Sequence, residues 1–289
     1  MKFLGIYFTG TGNSKKTMEV IRNNLLSFGH SLDIVDVISN DVRDLKEYDA
    51  LIIVYPIYGF NAPKPIIQYV KKLNKTDTQK PCLIMKQSGE HLFWNNASSL
   101  YLTSLLKRRN IRVTNEYHYL MPYSFIFRHT DFMAFRMYKV MQGLIPLDLK
   151  DFLDGKESHL KRFFLDRFFA WVLRIQWWGG RFNGLFYKVE KNKCVTCMKC
   201  VNDCPSHNIR YDKEKGKFEF GYQCLMCQRC VMYCPKQAIK VGLFNSWRVD
   251  VPYTFKEATY QKERHPNYCK KNYIKYFEAS EKRIKESKA

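Results

Sequence analysis

Acidic residues are scarce in this chain. Against 48 Lys and Arg it carries 27 Asp and Glu, a formal charge of +21. That imbalance favours association with something anionic: nucleic acid, an acidic membrane surface or an acidic protein partner. It is silent on fold, and a solvated basic surface accounts for it equally well. Long uncharged runs are also missing. None reaches 18 residues, so no membrane-spanning helix is expected. The opening "MKFLGIYF" runs straight into a glycine-rich loop without a cleavage-type segment, and reads as a first strand rather than a secretory leader. The expected compartment is a reducing cytoplasm. Outside one stretch, cysteine is rare: of ten, only Cys82 and Cys269 lie beyond 194–234, which argues against a disulfide framework. Recognition-helix and zinc-finger signatures are absent and the basic residues are spread along the chain, so nucleic-acid binding is not expected.

What is present is a doubled motif. "CVTCMKCVNDCP" (194–205) and "CLMCQRCVMYCP" (224–235) each read C-x2-C-x2-C-x3-C-P, and each cysteine maps onto its twin by adding thirty. Three thiolates at this spacing let one tight loop present three sulfurs to a cubane. The fourth lies too far along, and the proline after it turns the chain away toward the other cluster. The expected sets are Cys194, Cys197, Cys200 and Cys234 around one [4Fe–4S] cluster, and Cys224, Cys227, Cys230 and Cys204 around the second. Ile209 answers Ile239 across a pseudo-two-fold core. A pair of zinc sites is the alternative, but three cysteines in seven residues suit zinc knuckles poorly. Residues 190–240 resemble a bacterial-type two-cluster ferredoxin, with all eight cysteines and both prolines matched.

At the other end, "KFLGIYF" alternates like a strand and feeds "TGTGNS" (9–14), after which Met18, Ile21, Leu25 and Phe28 fall at helical spacing. A strand, a Gly- and hydroxyl-rich loop and a helix gather N–H groups around an anion. The loop lacks the Walker ending and the three-glycine dinucleotide spacing, so a phosphate monoester fits better than a triphosphate. "DALIIVYPIYGFNAPKP" (49–65) and "PCLIMKQSGEHLFWNNAS" (81–98) repeat the strand-then-loop design. Strands alternating with helices predict an α/β, doubly wound parallel sheet whose ligands lie beyond the carboxyl ends of its strands.

Residues 1–150 are similar to flavodoxins, whose phosphate loop is matched by Thr9, Thr11, Gly12, Asn13 and Ser14, with Gly10 between them. The resemblance implies a sheet of order 2-1-3-4-5 and FMN. The flavin ring would lie between the loop carrying Tyr55, Pro56, Tyr58, Gly59 and Phe60 and the one carrying Ser88, Gly89 and Trp94. Gly59 would be the residue whose peptide turns toward flavin N5. Together the two halves resemble the fused flavodoxin–ferredoxin proteins of anaerobes, which implies electron transfer and an FMN plus two [4Fe–4S] clusters. The basic surface departs from acidic flavodoxins and suits an acidic redox partner, such as a ferredoxin or an oxidoreductase. A flavin-dependent reductase of a small molecule or quinone is the second reading. Tyr55, Tyr58, Glu90 or His91 would serve as its proton donor, and an open cavity over the flavin would distinguish it.

Between the halves, 151–189 reads as a helical aromatic and basic connector. Positions 160, 164, 168, 171, 172 and 175 share one helical face, and Trp177, Trp178, Gly179 and Gly180 end the helix. It is expected to be buried between the two halves; peripheral contact with an anionic membrane is the alternative. "FRHTDFMAFRMYKVMQG" (127–143) is expected in the core or at the domain contact, and Cys82 as a buried thiol. The basic tail, from 246, reads over 256–289 as a solvated helix, stopping before Pro266. His118, His129, His207 and His265 stand isolated.

Overall fold

A computed structural model describes residues 1–39, 41–263 and 271–288 of the 289. Strands and helices alternate through the first 120: β1 (Lys2–Tyr7), α1 (Asn13–Ser27), β2 (Ser31–Asp36), β3 (Ala50–Pro56), α2 (Lys64–Lys72), β4 (Lys80–Ser88), α3 (Leu100–Lys107) and β5 (Ile111–Leu120). All five strands are parallel, in the order β2-β1-β3-β4-β5. Central strands of such a sheet are covered on both faces, so they read as unbroken apolar runs instead of alternating. β3 is the case in point, buried from Ala50 to Tyr55. One face packs Phe3, Ile52, Val54, Leu83 and Met85 under α1. The other packs Leu4, Ile6, Leu51, Ile53 and Ile84 under α2 and α3. The Cys82 thiol is fully buried among the latter, and burial raises its pKa.

α4 (Asp131–Leu153) lies beside α1. Thr130 caps it, accepting from the Met133 N–H at 3.2 Å, and Met133, Met137 and Met141 enter the core as expected. The chain then runs back along β5, where Glu116 N–H bonds to the Ser158 carbonyl at 2.8 Å.

The C-terminal segment corrects the expectation of a solvated tail. Tyr253 and Phe255 join the core of the first half. α9 (Lys271–Glu286) lies on α4, burying Tyr273 and Phe277 and pressing Ile284 against Gly143. Each buried aromatic contributes about 1.5–3 kcal/mol. Arg136 pairs with Glu281 at 2.8 Å, and Arg283 with Asp148 and with Asp151 at 2.8 Å. The expected stop before Pro266, His265 and the Cys269 thiol fall outside the described residues.

The cluster-motif half is small. β6 (Lys188–Val189) pairs antiparallel with β9 (Ile239–Lys240), and β7 (Ile209–Asp212) with β8 (Lys217–Phe220). A single helical turn carries the third cysteine of each triad: α7 (Lys199–Asn202) holds Cys200 and α8 (Arg229–Met232) holds Cys230. Ile209 and Ile239 are both buried. Joining the halves are α5 (Phe164–Val172) and α6 (Gln176–Gly184), linked by a 3-10 turn. Gly179 and Gly180 do not end this helix: α6 runs through both. No described helix is long and apolar enough to cross a membrane.

Candidate functional site

The doubled sequence folds as a doubled backbone. Left-handed residues recur at an offset of thirty: Thr196 and Met226, Met198 and Gln228, His207 and Gln237. Each turns the chain so that N–H groups face a sulfur. Thr196 and Met226 donate to Cys194 and Cys224, each at 3.4 Å. Asn208 and Ala238 donate to Cys204 and Cys234, each at 3.3 Å.

These turns surround two cavities, each partly open to solvent. Cys194, Cys197 and Cys200 line the first together with Cys234. Cys224, Cys227 and Cys230 line the second together with Cys204. All eight thiols are free of disulfides. They ring a void without converging on a point, and among the described residues no group of three or more His, Cys, Asp or Glu is placed to hold a single metal ion. A cubane, which spreads its ligands over four corners, fits this arrangement better than zinc. Burial raises Cys200 to about 11 and Cys224 to about 12. A positive centre inside the ring is what makes such thiols thiolates.

The two cavities differ in position. The first is the outer one: Cys197 and Val195 are exposed, and Lys199 and Lys236 line its rim. The inner one lies against the sheet half. A Cβ at Gly10 would stand 2.4 Å from the Cys227 carbonyl oxygen and 2.7 Å from the Tyr58 hydroxyl, so only glycine admits this approach. The Arg229 guanidinium donates to the carbonyls of Gly10 at 3.0 Å, Thr9 at 2.6 Å and Asp203 at 3.3 Å. The Tyr233 hydroxyl donates to Thr11 O at 2.9 Å. α6 closes the other side, where a Cβ on Gly184 would come within 2.2 Å of Cys224 Cβ.

Thr9–Ser14, Pro56–Phe60 and Ser88–Trp94 all lie at the carboxyl edge of the neighbouring strands β1, β3 and β4. In the first loop the carbonyls point outward to Arg229 and Tyr233, and the Gly12 N–H bonds to Thr9 Oγ1 at 2.9 Å. The N–H groups of Thr11, Asn13 and Ser14 have no acceptor among the described residues. Left-handed Gly12 and the start of α1 thus form a cradle of free donors that fits a phosphate monoester. The Ser14 hydroxyl turns inward to Gln87 at 2.9 Å.

At the ring end, Trp94 stacks on Phe169 of α5 at 4.8 Å and meets Phe60 edge-on at 5.6 Å. The Gln176 carboxamide lies against Gly59. It is the far end of a flexible, exposed side chain, so the space beside Gly59 is recoverable by one rotation. The connector thus covers the aromatic loops. Tyr55 does not belong to them: it is fully buried in the core beneath. Gly89 packs on Tyr123.

Several site residues gave no separate sequence signal. His118 bonds to Ser88 Oγ at 2.6 Å and stacks on His91 at 4.9 Å, and burial lowers the pKa of both rings. Strands β4 and β5 bring Ser88 and His118 together from thirty positions apart. Arg229 and Tyr233 were hidden inside the cysteine motif.

Residues 4–91 match the family model described as a flavodoxin domain, and residues 193–239 match that of a 4Fe-4S dicluster domain. The chain joins a flavodoxin domain to a 4Fe-4S dicluster domain. Its role is therefore in redox chemistry, with FMN and iron–sulfur clusters the cofactors these domains imply. A short-chain flavodoxin associated with a non-canonical PDU bacterial microcompartment is 14% identical, over 52% of this chain and 97% of its own, with a TM-score of 0.39. A flavodoxin of Streptococcus pneumoniae TIGR4 is 13% identical, over 52% and 98%, with a TM-score of 0.38. One from the domain Archaea is 14% identical, also over 52% and 98%, with a TM-score of 0.37. No protein of curated function matches the chain.

Proposed function

We propose that this is an electron-transfer protein of anaerobic metabolism, relaying single electrons between two [4Fe–4S] clusters and FMN. Cys194, Cys197, Cys200 and Cys234 hold the outer cluster; Cys224, Cys227, Cys230 and Cys204 hold the inner one. Thr9 to Ser14 hold the FMN phosphate, while Pro56, Tyr58, Gly59, Phe60, Ser88, Gly89 and Trp94 flank the ring. Bound there, the cubanes pass single electrons and FMN holds one or two.

The observation that carries this reading is the approach of Cys227 to Gly10, which sets the inner thiols against the phosphate loop. The chain's own residues do the rest. N–H groups aimed at the sulfurs stabilise added negative charge. Arg229 fixes the distance between the two halves by clamping loop carbonyls to α8. Lys199 and Lys236 at the outer rim attract an acidic donor, with on-rates that fall as salt rises. Phe169 lies over the aromatic loop at Trp94, which favours a carrier over a reductase that must admit a substrate there.

Anaerobic purification with iron, sulfide and flavin quantitation tests the assignment, about eight irons and one flavin per chain being expected. Cys204→Ser should damage the cluster of Cys224, Cys227 and Cys230 and spare the neighbouring one, as read by electron paramagnetic resonance. Loss of the neighbouring cluster would refute the crossed ligand sets, and colourless or zinc-only protein would refute the proposal.

A further inference from the structure

The connector leaves most of its large apolar side chains outside. A helix joining two domains ordinarily buries its large apolar side chains. Facing inward, Phe169 stacks on Trp94 and Trp177 packs against the sheet's core, but the closest approaches are made by small positions: the Ala170 carbonyl accepts a hydrogen bond from Asn61 Nδ2 at 2.8 Å, and Gly180 and Gly184 admit Met226 and Cys224. Phe168, Trp171, Ile175, Trp178, Phe182 and Leu185 point outward, each between 46% and 66% exposed. Their steps of three and four residues make one stripe along α5 and α6, about 25 Å long at 1.5 Å per residue. Beside α6 a second element adds to it. Asn183 Oδ1 holds the Leu243 N–H at 2.9 Å, and exposed Leu243 leads into the stacked pair Phe244 and Trp247. A continuous apolar face of this extent marks an interaction surface.

Charge selects its occupant. Between 159 and 189 the only acidic residue is Asp166. It is buried, accepting the Phe163 N–H at 2.8 Å. Lys161, Arg167 and Lys188 are exposed, and Arg181 lies over Trp178 at 5.3 Å. A second copy of this chain would set these cations against each other. The only hydrogen-bonding groups on the stripe's large side chains are the indole N–H groups of Trp171 and Trp178, and an apolar body with one polar edge suits the boundary between headgroups and hydrocarbon more than a partner's polar surface. We propose that α5 and α6 dock this protein on an anionic lipid bilayer, lying in the headgroup plane with the apolar stripe buried and the cations on lipid phosphates. The surface does not depend on which cofactors the two halves hold.

The test is sedimentation of the anaerobically purified, cofactor-loaded full chain with vesicles, alongside its tryptophan fluorescence. Vesicles containing phosphatidylglycerol should carry the protein down with a blue shift, and vesicles of phosphatidylcholine alone should bind it far more weakly. The triple change Trp171→Ser, Ile175→Ser, Trp178→Ser should weaken binding roughly tenfold or more while cluster absorbance is kept. Arg167→Glu with Lys188→Glu leaves the stripe intact and should also release the protein from anionic vesicles. Absence of binding at low salt, equal binding to neutral vesicles, or undiminished binding of the triple variant overturns the proposal. So does a dimer of the parent chain that the triple variant converts to monomer.

Discussion

The outer and inner copies of the cysteine motif share a backbone and differ in what they face. At the same offset, exposed Val195 is answered by Leu225, packed on the sheet's core, and exposed Cys197 by buried Cys227. Lys199 makes a surface pair with Asp203 at 3.4 Å; its twin Arg229 holds the carbonyls of Thr9 and Gly10. Asp203 is answered by Tyr233, which reaches Thr11. The loop that presents sulfurs is thus independent of the side chains between them. Those side chains are free to make one copy a solvent-facing port and the other a joint to the neighbouring domain.

That contrast can be broken at graded cost. The largest effect is expected from Gly184→Val, whose added atoms meet Cys224 Cβ across backbone that has little room to move. Overpacking of this kind costs about 1–3 kcal/mol or more. The inner site's iron should be lost while the outer site's remains, as iron counts and resonance spectra would register. Next, Arg229→Ala should destabilise by about 2–3 kcal/mol, because a charged donor leaves three carbonyls. Lys199→Ala at the twin position should stay within about 0.5 kcal/mol. Equal denaturation midpoints for these two variants would erase the distinction between port and joint. Among the joint's own residues the smallest effect is that of Tyr233→Phe, which should cost about 1 kcal/mol for one lost hydrogen bond and loosen flavin, measurable by its fluorescence on dilution.

Much of this was legible because it is local. The parallel doubly wound sheet follows from apolar strands alternating with helices, its order from the resemblance of the phosphate loop to that of flavodoxins, and the grouping of the cysteines around two voids from a spacing that leaves one sulfur of each motif too far along. What was not legible depends on which side of an element faces in. Helical periodicity marks the connector's stripe but cannot orient it, and only the partners of Asn61, Met226 and Cys224 show that its glycine face packs inward. In α9 the abundance of charge hid a second period: Tyr273, Phe277, Ser280 and Ile284 make a seam that Gly143 receives. Tyr55 was expected at the loop because aromatics follow it, yet β3 continues through it. The roles of Arg229 and Tyr233 were open to subtraction of one motif copy from the other, since positions where a repeat departs from itself are those answering to different surroundings.

The bare glycine face of α6 sets how well the inner thiols are insulated. Electron tunnelling decays exponentially with the width of the barrier, and at Gly180 and Gly184 that barrier has been pared to main chain. A redox molecule dissolved in the medium beyond the helix would stand only one helix diameter away, roughly 10 Å. At these two positions main chain alone separates the inner thiols from the outer face of α6.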